Sequence, residues 1–324
     1  MKTFTHINAD SVAEAVKLLA QYQGRAKLNA GGTDLLGVLK DRILPDYPEA
    51  LINIKTIPEL SGVAEDEKTI TIGALTILAD LSAAPLIEKY CPLLKEAVDT
   101  VAAPQIRNVA TIGGNLCQDT RCWYYRYPDE IGGMIQCLRK GGKTCPAVVG
   151  ENQYHAIMGA KKCFAVSPSD TAVALTALDA TVTLAGGSGT RTLPVEELYT
   201  PLGNVLNPDE LVTAIYIPKP APAAKQNFIK FTLRKPIDFA IVSVASLTTL
   251  EQGICTAARI VLGAVAYTPV RAREAEKFLT GKELTEETAS EAAELALAGA
   301  KPLAKNAYKL EIAKTLVKRA LLGQ

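Results

Sequence analysis

An α+β fold is predicted by three observations. Alternating, β-branched runs such as TITIG (69–73) stand among helical runs, without the strict strand–helix–strand order of a doubly wound sheet. The last quarter is rich in Ala, Glu, Lys and Leu at helical spacing (RAREAEKFL, TEETASEAAELALAGA, NAYKLEIAKTLVKRALL). Between these regions runs IPKPAPAAKQ (217–226), a proline-rich polar stretch that reads as a linker.

Taken in order, DSVAEAVKLLAQY (10–22) is a helix capped by Asp10 or Ser11, with Val12, Ala15, Val16 and Leu19 on one face. AKLNAGGTDLLGVLKDR is a short strand, a glycine turn and a helix start. LINIKTI (51–57) and TITIGALTIL (69–78) are strands, followed by helical LADLSAAPLIEKYCPLLKEAVDTV. VTLAGGSGTRTLPVEEL (182–198) is a hairpin about Gly186–Gly189. With no Lys-Ser/Thr pair and no following helix, it is a turn and not a phosphate loop. Beyond the linker, NFIKFTLRK and AIVSVASLTTLEQGICTAARIVLGAVA are strand-like.

With 324 residues, 48% of them apolar, the chain can bury a sizeable core. Its 35 basic and 34 acidic residues give no electrostatic case for nucleic acid or membrane binding. The N-terminus has no apolar leader and no stretch approaches a bilayer span, so the expected address is cytoplasmic. In that reducing compartment the seven cysteines are not expected to be disulfides. Two histidines, His6 and His155, argue against a Cys-His or Ser-His-Asp triad and a His-rich zinc site.

Two glycine loops carry the first functional signal. In NAGGTDLL (29–36), Gly31 and Gly32 let backbone approach a ligand, and the N–H groups of the next turn favour an anion such as a diphosphate. The same residues also fit a tight turn with Thr33 or Asp34 as helix cap. Neither Rossmann nor P-loop spacing is present. ATIGGNL (110–116) is a second such loop, and the pair could clamp one extended dinucleotide.

The second signal is sulfur. Five of the seven cysteines fall between 117 and 163, in a polar, glycine-rich stretch that has little apolar surface to order it. Cys122, Cys137, Cys145 and Cys163 have 14, 7 and 17 residues between them. Four thiolates suffice for a [4Fe–4S] cluster or a structural zinc, and either would supply the missing order. The lack of a C-x₂₋₄-C knuckle leans away from zinc. Scattered free cysteines are the alternative. Cys91 and Cys255 sit on apolar faces and read as core, and His155 could ligate iron but reads rather as a surface or capping residue.

AGGTDLL followed by ATIGGNLCQDTRC resembles the FAD-binding subunit of the molybdenum hydroxylases. The resemblance covers nearly the whole chain. It implies a PCMH/VAO-type FAD-binding domain of two α+β subdomains at 1–216, with an iron–sulfur insert at about 117–163. A linker at 217–227 and a C-terminal α+β domain of the CO dehydrogenase flavoprotein type at 228–324 complete it. The implied flavin contacts are Asn29, Ala30, Gly31, Gly32, Thr33, Asp34 and Leu35 from the first loop. Thr111, Gly114, Asn115, Cys117 and Asp119 come from the second. Phe164, Ala165, Val166 and Asp170 in FAVSPSD, with Lys230, would lie near the isoalloxazine. NLCQDTRCWYYR further resembles the start of the cluster-bearing insert of a branch that includes 4-hydroxybenzoyl-CoA reductase and a bacterial aldehyde oxidoreductase. This implies a [4Fe–4S] cluster on Cys122, Cys137, Cys145 and Cys163, with Cys117 as alternative fourth ligand. Trp123, Tyr124 and Tyr125 would then pack over the cluster and the flavin edge.

The implied function is electron transfer with no catalytic residue for the organic substrate. The implied partners are a molybdopterin-binding large subunit, a small [2Fe–2S] subunit and an external carrier (ferredoxin, quinone or NAD). The rivals are a free-standing flavin oxidase of the same superfamily and a zinc-stabilised binding protein.

Overall fold

The computed structural model describes residues 1–235 and 237–324. Three sheets organise it. A parallel sheet of three strands has the order Thr5–Asn8, Ala50–Asn53, Ala26–Asn29, so the third strand in sequence lies in the middle, flanked by the first and the second. The crossover helix Val12–Tyr22 begins at Ser11, whose hydroxyl accepts from Glu14 N–H at 3.2 Å, and buries Ala15 and Leu19. Ala26, Ala50, Ile52 and Ile57 complete this small core.

The second sheet is antiparallel, with the order Val63–Glu65, Thr69–Gly73, Leu211–Pro218, Thr181–Gly186, Gly189–Pro194. The strand Leu211–Pro218 thus returns from far along the chain to the sheet's centre. The stretch from 78 to 101, which reads as continuous helix, is three helices: Leu78–Ala83, Pro85–Tyr90 and Pro92–Asp99. Pro85 and Pro92 each open a new helix, because proline suits a first turn and breaks an interior. Deepest in the same core lies Asp170–Ala177, all eight residues buried, capped by the Ser169 hydroxyl. Its polar members are satisfied inside: Thr171 Oγ1 donates to Asn115 Oδ1, Thr176 Oγ1 to Ala172 O, and Asp170 pairs with Lys230.

The third sheet is antiparallel too: Ala224–Phe231, Val242–Glu251, Ile254–Gly263 and Val270–Arg271. Helices Arg273–Leu279, Glu286–Ala296 and Tyr308–Leu322 cover it, burying Ala289, Ala293, Leu316 and Val317. The mixed α+β class is as predicted. The strand expected at 51–57 stops at Asn53, and the one at 69–78 stops at Gly73. Strands also run into both ends of the proline stretch, confining the connection to 219–223.

Between the helix Ile112–Cys117 and the buried helix lies the cysteine-rich insert. Its regular structure is one helical turn at Asp129–Gly132 and two 3₁₀ turns, Leu138–Lys140 and Pro146–Val148. Its apolar centre is small: Tyr125 and Cys137 pack on Val38 and Ile43, with Cys122 and Leu44 at the edge.

Candidate functional site

The two glycine loops meet across a cleft of about 800 Å³. The first loop leaves the carboxyl end of the strand Ala26–Asn29, the end of a parallel sheet where open α/β sheets place ligands. Gly31 lies so close to the second loop that a Cβ there would sit 2.1 Å from Val109 O. Only glycine permits that backbone contact. Leu36 N–H to Gly32 O, at 3.0 Å, is the first bond of the following turn, and the N–H groups before it have no intrahelical acceptor. In the second loop Thr111 caps Ile112–Cys117, its hydroxyl accepting from Gly114 N–H at 3.1 Å. Asn115 Oδ1 accepts from Ser169 Oγ and Thr171 Oγ1, both at 2.7 Å, which ties the loop to the buried helix.

One face of the cleft is cationic and internally braced. Asp34 does not cap its helix. Its Oδ1 takes Arg126 Nη2 at 2.7 Å and Arg121 Nη2 at 2.9 Å, and its Oδ2 accepts from Asp119 N–H at 2.7 Å. Asp119 accepts from the Tyr125 hydroxyl and from Arg139 Nη1 at 3.2 Å. Burial pulls Arg121 down to about 10, opposed by Asp34, so it is still charged at neutral pH. Three guanidiniums against two carboxylates leave this wall with an excess positive charge facing the cleft, where Arg121, Arg126 and Arg139 all lie.

Of the expected flavin residues, Ala30, Gly31, Gly32, Thr33, Asp34, Leu35, Thr111, Gly114, Asn115, Cys117, Asp119 and Val166 line this cleft. Ala165 and Asp170 line a second cavity of about 600 Å³ that shares Thr120, Arg121, Val166 and Phe239 with it. Asn29, Phe164 and Lys230 line neither cavity. Lys230 is buried behind the site, its Nζ 2.7 Å from Asp170 Oδ2 and 2.8 Å from Thr100 O. Burial pushes the Asp170 carboxyl up, and Lys230 opposes that push. Sequence reading missed Arg121, Arg126 and Arg139, and also Tyr199, Phe239 and Tyr267 on the cleft wall. The only signal was the run of three arginines between 121 and 139.

Of the expected thiol ligands, Cys145 and Cys163 lie near enough to Cys122 to act on its charge. Burial pushes the Cys122 thiol up to about 11, and the Cys163 and Cys145 sulfurs add to that rise. Cys137 packs in the same small core. Burial alone pushes Cys117, on the cleft wall, to about 12. Among the described residues, no three His, Cys, Asp or Glu side chains close in tightly enough to hold a metal ion. Lys140 is 4% exposed, and its Nζ has no hydrogen-bond partner. The Tyr125 ring lies 5.6 Å from it, and Cys137, Asp129 and Cys122 oppose the fall in its pKa that burial causes. A buried, unpaired ammonium is costly unless negative charge is nearby.

Trp123 is 45% exposed and meets Tyr154 edge-on, with ring centroids 5.4 Å apart. His155 is buried, not a surface residue, with Nε2 3.3 Å from Cys122 Sγ. Burial, then the Lys309 charge, lower its pKa to about 4. Cys91 and Cys255 are core residues, as expected.

Comparison with known proteins agrees with the architecture. Residues 2–220 match the FAD binding domain in molybdopterin dehydrogenase, and residues 227–323 match the CO dehydrogenase flavoprotein C-terminal domain. The aldehyde oxidoreductase FAD-binding subunit PaoB of Escherichia coli is 34% identical over 97% of this chain and 96% of its own. The carbon monoxide dehydrogenase medium chain of Hydrogenophaga pseudoflava is 32% identical over 96% of this chain and 93% of its own. A solved carbon monoxide dehydrogenase from that organism, lacking the Mo-pyranopterin moiety of its cofactor, superimposes with a TM-score of 0.79. It has 31% identity over 99% of this chain and 96% of that one. With the glycine-loop cleft in place, these matches show that the chain belongs to the family of FAD-binding medium subunits of the molybdenum hydroxylases, and is an oxidoreductase flavoprotein subunit.

Proposed function

We propose that this chain is the electron-transfer subunit of a molybdopterin-dependent oxidoreductase complex, holding FAD in the cleft and a [4Fe–4S] cluster on Cys122, Cys137, Cys145 and Cys163. Its partners in this reading are a molybdopterin-binding large subunit and a small [2Fe–2S] subunit, with an external carrier (ferredoxin, quinone or NAD). The flavin unit spans 1–216, and 228–324 forms the second domain.

The observation that carries the reading is a shared wall. Asp119, Thr120 and Arg121 line the cleft, and the next residue, Cys122, is the first of the four proposed cluster ligands. The residues fit both groups. For FAD, the glycine contact at Gly31 and Val109 leaves backbone at the ligand, and the arginine face suits a diphosphate. For the cluster, the Lys140 ammonium, whose Nζ has no hydrogen-bond partner, lies near Cys137, Asp129 and Cys122, and cluster-bound thiolates there would add negative charge beside it. Bound, FAD supplies exchange between two-electron and one-electron carriers, and the cluster supplies a one-electron relay.

This chain's own side chains orient and screen. Arg121 and Arg126, held by Asp34, keep positive charge at the diphosphate position. Tyr199, whose hydroxyl donates to Leu116 O at 3.1 Å, closes one side of the cleft. Phe239 stacks under Arg121 at 4.6 Å, between the two cavities. An absorbance spectrum with iron and zinc analysis tests the reading. Flavin bands over a broad iron–sulfur shoulder are expected. Flavin bands with no iron would leave a plain flavoprotein, and zinc without colour a metal-stabilised binding protein.

A further inference from the structure

We propose that His155 is a positioning residue for the cluster: it donates an N–H···S hydrogen bond from Nε2 to Cys122 Sγ, raises the cluster's reduction potential, and is held in place by the C-terminal domain. The proposal rests on the cluster reading above.

The geometry selects the donor. Nε2 lies 3.3 Å from Cys122 Sγ, and Nδ1 is buried with no partner among the described residues. A neutral imidazole carries one N–H. On Nδ1 it would be a buried donor without an acceptor, while Nε2 would turn a lone pair toward an electron-rich sulfur. On Nε2 it meets the sulfur and leaves only a bare acceptor on the far side, the smaller loss. A ligating thiolate has no proton of its own, so the hydrogen bond can run only from the ring. Backbone N–H groups of Tyr124 and Tyr125 face the same sulfur, and among the described residues His155 is the side chain in hydrogen-bond contact with it.

The ring is placed from outside the insert. His155 O accepts from Asn306 Nδ2 and Lys309 Nζ, each at 3.1 Å, and Lys309 Nζ also donates to Ala264 O at 2.6 Å. Asn306 and Lys309 are both 0% exposed. Lys305 N–H donates to Asn152 Oδ1 at 2.9 Å, and the Tyr308 hydroxyl to Gln153 O at 2.9 Å. Residues 305–309 therefore grip 152–155 from about 150 residues away, and the imidazole follows. Reduction adds negative charge to the cluster and its sulfurs, so a donor at Cys122 favours the reduced form.

The test uses the whole chain in its complex, prepared anaerobically. Iron and sulfide are assayed first, and the cluster midpoint is then measured by EPR-monitored titration. Wild type is compared with His155→Phe, which has no donor, and His155→Gln, which keeps an amide N–H. Expected are wild-type iron and FAD in both variants. The cluster midpoint should fall in His155→Phe by roughly tenfold in the reduction equilibrium, about 59 mV for one electron. The fall should be smaller in His155→Gln, and the flavin midpoint should not move. An unchanged cluster midpoint in His155→Phe overturns the proposal. So does loss of iron from a His155→Phe chain that retains FAD, since the histidine would then be a ligand. A wild-type chain without iron overturns the cluster reading itself, and this assignment with it.

Discussion

Around the cleft, position is set by backbone: Gly31 rests on Val109, Thr111 caps its own helix, and both loops grow directly from sheet and core. A few residues on, in the insert, position is set by side chains reaching over long distances. Asp34 clamps Arg121 and Arg126, and Asn306 and Lys309 hold His155. Burying a large apolar side chain gains about 1.5–3 kcal/mol, while fixing one residue costs about 1–2 kcal/mol. The insert's small apolar centre cannot order so long a segment alone. The comparison teaches that the glycine-loop cleft is preformed by the fold, whereas the insert depends on polar clamps.

The most severe break in the comparison is Cys137→Ser. It should remove most of the iron and leave FAD largely bound, as read by iron, sulfide and flavin analysis. Unchanged iron would mean that Cys137 is not a ligand. The reverse break is Gly31→Ala. Its Cβ cannot coexist with Val109 O, so the loops must part. FAD affinity should drop roughly 100-fold, ~2.8 kcal/mol, with iron retained. Arg126→Gln strikes the shared wall, because Arg126 also donates to Thr120 O and Asp119 O. FAD binding should weaken by roughly tenfold, and iron content should fall in part. An effect on one cofactor alone would show that the wall is not shared.

The smallest effect is a pH slope. Burial lowers Lys309 from 10.5 to about 7. Between those values the unfolded chain binds a proton that the native chain does not, so stability rises with pH across the window and is lost as pH falls through about 7. Lys309→Met lacks this term. Native protein should therefore gain on the variant in thermal midpoint as pH rises from 7 toward 10, by about 2–4 °C for each kcal/mol. A constant difference would count against a buried, titrating Lys309.

How much was legible follows from the same contrast. The glycine loops and the thiol set are local patterns, and the α+β class followed from periodicity. The three-helix break at Pro85 and Pro92 was also written in the sequence, where the prolines were outvoted by a continuous apolar pattern. His155, Lys309 and Asn306 were not legible. Lys309 sits in a helix where lysine normally faces water, and its partners are backbone carbonyls at 155 and 264 that no residue pattern reveals. Arg121 and Arg126 were in view, but their acid, Asp34, is 87 and 92 residues earlier in the chain.

The central claim is an iron–sulfur cube beside the flavin. The most direct measurement is low-temperature EPR of anaerobically purified, dithionite-reduced protein, with iron and sulfide counted per FAD. The expected result is about four irons and about four sulfides per flavin, with a fast-relaxing signal that Cys137→Ser abolishes. Flavin-replete protein with no iron and no such signal would contradict it.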